Sequence, residues 1–196
     1  MQDGIDQSQA SAGRDIIGGG SFGGDKVEGP KYQIDARPHV QLGTIAQLKI
    51  KLQQELDSKE HFYETIEALQ HFSIRVPADG IIGLEAKLEA GGRADETLFA
   101  LDEKEAFVKL LAKWSLYASA QEIFAFILSR IDYEYRRFVQ PRLGEFDRYA
   151  IDTLVDERIV KPIMADCDTA VFNLNHSIVS GMMYWLADRC FIKWHS

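Results

Sequence analysis

Three glycines, Gly18, Gly20 and Gly23, spell G-x-G-x-x-G within IIGGGSFGGDKVEG, residues 16–29. Such a run lets backbone amides approach a phosphate, and with Phe22 and Val27 its spacing is that of a kinase glycine-rich loop. Phosphoryl transfer also needs a lysine on a subsequent strand, a catalytic aspartate and a metal-binding aspartate. No V-A-I-K, H-R-D or D-F-G sequence lies downstream, and no Gly-Lys-(Ser/Thr) marks a P-loop. The downstream residues have helical spacing, so the glycines read as turn formers.

Asp79, Glu85 and Lys87 form D-x5-E-x-K, the residue types with which restriction-type nucleases hold Mg²⁺. Those acids must lie on adjacent strands to share one ion. Here Glu85 and Lys87 stand two apart in a helical pattern and diverge, so a solvated amphipathic helix is the plainer reading. The histidines are His39, His61, His71, His176 and His195, and no two have i, i+4 spacing. Cys167, His176, Cys190 and His195 can be strung into a zinc set, but they lack paired C-x2-C geometry. Cys190 falls on an apolar helix face, where it serves as a small buried hydrophobe. No serine has a nucleophile-elbow context, and the i, i+2 acid pairs Asp132/Glu134 and Asp166/Asp168 diverge on a helix. No active site assembles from these residues. No metal or cofactor is required, and no enzyme is expected.

The formal net charge of −8 repels a nucleic-acid backbone at long range, so direct nucleic-acid binding is not expected. Arg136, Arg137 and Arg142 are a small basic cluster that fits a solvated helix end. Two cysteines are too few for a disulfide scaffold. The polar, glycine-rich start lacks the apolar run of a secretory signal, and IVSGMMYWL at 178–186 falls short of the ~18 residues of a membrane span. A soluble cytoplasmic protein is expected.

The elements divide near residue 40. Eight of the fifteen glycines lie in residues 1–29, which carry too few large apolar side chains to offset their own ordering entropy. Gly13, Asp15, Ile17 and Gly19 are echoed by Gly23, Asp25, Val27 and Gly29, two copies of roughly G-x-D-x-(I/V)-x-G. Beyond residue 40 the spacing is helical. Thr44 with Gln47 reads as a capping box before Ile45, Leu48, Leu52 and Leu56. Phe62, Ile66, Leu69 and Phe72 form a second pattern, and a short helix from Ile82 to Ala90 is stopped by Gly91-Gly92. Asp102 and Glu105 open the next helix, with Phe107, Leu110, Leu111 and Trp114 on its face. Ser119 and Glu122 read as a capping box for a central buried helix that Pro141 ends. Ile151, Leu154, Val155 and Ile159 mark another, broken or kinked at Pro162. The last begins near Asn175, with Val179, Met182, Met183, Leu186 and Cys190 on one face. The fold class expected is all-α, a bundle of about six or seven helices over 40–196, preceded by a glycine-rich flexible leader or tether over 1–38.

Four stretches carry a resemblance. They are I-G-L-E-x-K-L-x-x-G-G-R at 82–93, S-A-Q-E-I-F-A at 119–125, K-P-I at 161–163 and C-x-I-K-W at 190–194. With them the chain resembles the C-terminal domains of ABC-three component systems, bacterial conflict systems of which Lamassu-type antiviral defence is the best-known group. The likeness is close over about 75–196 and loose over 40–75. It implies a non-catalytic subunit acting against phage or plasmid, docked to an SMC-like ABC ATPase and a small middle component. In such systems the helical domain sits on an effector. Here only about forty residues precede it, too few for a catalytic domain. Within the leader, Ile16, Ile17, Phe22 and Val27 are the candidates for edge-to-edge self-association in an oligomer, with a simple tether as the other reading. For partner docking the candidates are the apolar residues near the chain end, Trp185, Phe191, Ile192 and Trp194, expected to be exposed or half-exposed. Ordinary core closure is their other reading. A small metal-dependent nuclease and a helical toxin component that oligomerises are the rival functions.

Overall fold

The helix at the end of the chain starts at an asparagine. Asn175 is extended, and its side-chain oxygen accepts the Ile178 N–H at 3.0 Å, satisfying one of the donors a helix start leaves open. From there His176–Asp188 runs without a breaker, and every residue from Gly181 to Ala187 is buried. A helix wrapped on all sides is a core helix.

The computed structural model describes residues 42–73, 75–77, 79–166 and 172–195, all within the unit His39–Ser196. The G-x-G-x-x-G run, the repeats, Ile16, Ile17, Phe22, Val27 and Cys167 lie outside the described residues. The helices are α1 (Leu42–Ser58), α2 (Glu67–Gln70), α3 (Leu84–Ala90), α4 (Thr97–Lys113), α5 (Ala118–Glu134), α6 (Arg148–Val155), α7 (Lys161–Asp166) and α8 (His176–Asp188). A π turn, Asp156–Val160, joins α6 and α7 into one rod. The described residues are all-helical, without a strand.

Two seams hold the bundle. In the first, α1 lays Ile45, Leu48 and Leu52 against α5, whose Ile123, Phe124, Ile127, Leu128 and Ile131 are all buried. In the second, α4 packs along α8. Phe107 of α4 meets Trp185 of α8 edge-on, ring centres 5.6 Å apart. Close approach there depends on Gly181, where a Cβ would stand 2.2 Å from the Glu103 carbonyl oxygen. Asp188, at the end of α8, ties three helices together. Its carboxylate accepts the Leu84 N–H at the start of α3 (3.1 Å) and pairs with Lys104 of α4 (3.1 Å).

Several helix starts differ from expectation. α1 already runs at Leu42, so Thr44 lies inside it. α4 begins at Thr97 after a 3-10 turn, Ala94–Glu96, which puts Asp102 and Glu105 in its interior. Ser119 is not the cap of α5. Instead the Glu55 carboxylate of α1 accepts the Ser119 N–H (3.2 Å) and hydroxyl (2.7 Å), supplying from another helix what a local box would supply. Phe62 to Phe72 yields only α2, because buried Gln121 holds the segment before it open. That amide accepts the Ile66 N–H at 3.0 Å and donates to the carbonyls of Glu64 and Ser115.

Neither Pro141 nor Pro162 stops its helix abruptly. Each comes after a π turn, Tyr135–Val139 and Asp156–Val160. The residue just before each proline reaches back five positions, Gln140 N–H to Tyr135 and Lys161 N–H to Asp156. A proline ring clashes with the carbonyl four residues earlier, and a widened turn gives that carbonyl room.

Candidate functional site

The chain end is built on a reversal at Cys190. Its N–H donates to the Ala187 carbonyl (3.0 Å) and the Phe191 N–H to Leu186 (2.9 Å), the two bonds of a Schellman cap. The cap needs a left-handed residue, and Cys190, at φ +65°, takes the place glycine usually fills. A side chain there has a use, since Lys87 of α3 places Nζ 3.0 Å from Cys190 Sγ and donates also to the Ala187 carbonyl.

Beyond the reversal, Phe191, Ile192 and Trp194 fold back into the core instead of standing at the surface, with exposures of 5%, 1% and 7%. Trp185 is buried on α8 as well. Phe191 packs on Phe72, ring centres 5.0 Å apart, and Trp194 on Tyr135 at 5.4 Å. Gly91 closes over Trp194, where a Cβ would come within 2.5 Å of the Trp194 carbonyl oxygen. Tyr135 donates its hydroxyl to the Lys193 carbonyl at 2.8 Å, and burial pushes its phenol up, so it stays a donor. Arg93, itself buried, lies over the Trp194 ring and pairs with Glu96 and Asp152, fastening the α3–α4 turn to α6.

Two depressions flank this segment. One is an apolar groove of about 720 Å³ whose walls include Leu69, Phe72, Val108, Leu111, Trp185 and Arg189. Trp185 therefore forms part of an open wall although little of it is exposed. The other is a cleft of about 350 Å³ bordered by Arg75, Lys87, Arg136, Lys193, Gln140 and Asp79. Arg136, Gln140 and Lys193 also border a neighbouring hollow with His195. The His195 ring meets Asp79 at 2.9 Å, and that hydrogen bond holds the Asp79 carboxyl below its ordinary value.

The D-x5-E-x-K residues separate. Asp79 and Lys87 border the cleft, but Lys87 is fully buried and bonded, while Glu85 is exposed and borders a different hollow with Lys104 and Asp188. Among the described residues no group of three or more His, Cys, Asp or Glu could hold a metal ion. Of the basic cluster, Arg136 alone reaches the cleft. Arg137 lies over Phe138, and Arg142 over Phe146. Sequence reasoning did not foresee the cleft, because Arg75, Lys87, Arg136 and Lys193 come from four segments with no common spacing. Among the described residues no helix is long and apolar enough to cross a membrane.

A family model described as C-terminal domain 9 of the ABC-three component systems matches residues 83–194, from the glycine before α3 to Trp194. No curated protein and no solved structure matches the chain.

Proposed function

The chain belongs to the C-terminal domain 9 family of the ABC-three component systems, and from that premise we propose that it is a non-catalytic docking subunit of such a system. Its partners in this reading are an SMC-like ABC ATPase and a small middle component, in a Lamassu-type complex acting against phage or plasmid. The leader, with Ile16, Ile17, Phe22 and Val27, then gathers copies once the complex forms.

The observation that carries the reading is the family match, which spans α3 to Trp194 and takes in part of the wall of each depression, with Leu69 and Phe72 of the groove and Arg75 and Asp79 of the cleft lying before it. The apolar groove supports it. Exposed Val108 borders the groove together with buried Phe72 and Trp185, an apolar lining of the kind that receives a partner's anchoring side chain. The reading is tested by co-purifying the full chain with an SMC-like ATPase and middle component encoded beside it, in wild type and in Val108→Glu. Wild type is expected to be retained and the variant lost, with the variant's melting temperature unchanged. Failure of wild type to be retained overturns the docking reading. Retention of the variant moves the contact off the groove.

A further inference from the structure

The cleft beside the chain end concentrates positive charge on a chain of net charge −8. Arg75, Lys87, Arg136 and Lys193 border it, and among the described residues Asp79 is the one carboxylate on its wall. Asp79 is already engaged by His195, and Arg136 pairs with Asp132 just outside (2.7 Å). Counting both acids against the four cations leaves an excess of two positive charges before His195 is considered.

Lys87 makes this excess significant. It is 1% exposed, and its two acceptors are the Ala187 carbonyl and the Cys190 sulfur. An ammonium has three donors, and among the described residues no carboxylate pairs with it. A buried cation without a counter-ion is costly, and the carbonyl at the end of α8 offsets only part of that. At the rim, Lys193 makes no ion pair among the described residues, and Arg75 engages the Phe191 ring (3.8 Å) and His71. Two guanidinium forks and two ammonium groups around one opening fit a phosphate better than a single carboxylate. Phosphate has more acceptor oxygens and more charge, and Arg engages it with two donors at once.

We propose that this cleft binds a small phosphate-bearing anion of at least two negative charges, with Arg75, Arg136 and Lys193 as rim donors and Lys87 as the fixed charge of the wall. The cleft volume of about 350 Å³ lies at the small end of ligand sites, enough for a diphosphate and too small for a folded partner. Anion binding here does not depend on docking at the apolar groove.

The test is calorimetric titration of the full chain with inorganic pyrophosphate, in a phosphate-free buffer at fixed ionic strength. Saturable binding at one site is expected. The double variant Arg136→Gln/Lys193→Gln removes one exposed and one half-buried donor, so affinity falls at least ~10-fold with the melting temperature of the unliganded protein unchanged. Because Lys87→Met removes a buried hydrogen-bonded group and can cost the fold, the rim variant is the deciding one. Absence of saturable heat at millimolar pyrophosphate, or equal binding by the double variant, overturns the proposal. Binding of an oligothymidylate or an oligo-aspartate peptide without binding of pyrophosphate also overturns it, and assigns the cleft to a macromolecule.

Discussion

Glu103 shows what one side chain contributes at the α4–α8 seam. Its residue is buried, one carboxylate oxygen has no hydrogen-bond partner, and the Ser177 hydroxyl reaches it from the first turn of α8. Burial pushes its carboxyl above the ordinary glutamate value, with the Ser177 hydrogen bond pulling weakly the other way. The consequence for stability has a definite sign. Between the unfolded value, about 4.3, and the raised folded value, the folded protein holds more protons than the unfolded one, so stability falls as pH rises through that window. Above the window the cost is present in full. Glu103→Gln removes this titration and keeps a similar shape. Urea midpoints are therefore expected to show the variant gaining on wild type as pH rises from about 4 through the window of the raised Glu103 carboxyl. A constant difference across that range would show that Glu103 is not desolvated.

Between helices, the decisive contact is the one Glu55 makes across from α1. The α5 start has no cap of its own, since Tyr117 stands at the N-cap with no side-chain bond. Glu55 serves the Ser119 N–H and hydroxyl together and adds negative charge where the helix dipole favours it. Glu55→Ala leaves both donors partly buried without an acceptor and is expected to cost about 2 kcal/mol by denaturant unfolding. In a double-mutant cycle, Ser119→Ala should be nearly neutral once Glu55 is gone. This contact also marks how far the fold was legible. Where a helix carries its own stop or start signals, reading the chain finds it: Asn175 before α8, and Gly91-Gly92 after α3, with Gly92 at φ +69°. Where the signal sits elsewhere, reading fails. Ser119-x-x-Glu122 has the right spelling for a cap, but the acid that bonds Ser119 lies 64 residues earlier. Phe62 to Phe72 has helical spacing, yet Gln121 draws the backbone open. The basic cleft was illegible for the same reason, being made by bringing four distant segments to one place.

At the scale of the whole chain, the question is whether the terminal segment holds the fold or meets a partner. Phe191, Ile192 and Trp194 pack against Phe72, Tyr135 and Tyr184, which come from the turn after α2, the π turn that follows α5 and the middle of α8. The last residues of the chain thus join parts of the bundle that are otherwise far apart in sequence. Trp194 by itself touches the Gly91 turn, buried Arg93 and Tyr135. Trp194→Ala removes a large buried ring, a loss of about 3–5 kcal/mol. That is a sizeable share of the roughly 5–15 kcal/mol that holds an ordinary domain folded. The expected result is a steep drop in melting temperature, with partner retention falling in parallel because less folded chain is present. Val108→Glu, at the groove edge, should lose partner retention with no change in melting temperature. If Trp194→Ala instead keeps its melting temperature and loses the partner, the tail is an interface that only borrows the core for shelter. Measuring both quantities on both variants separates a closure of the core from a contact with another chain.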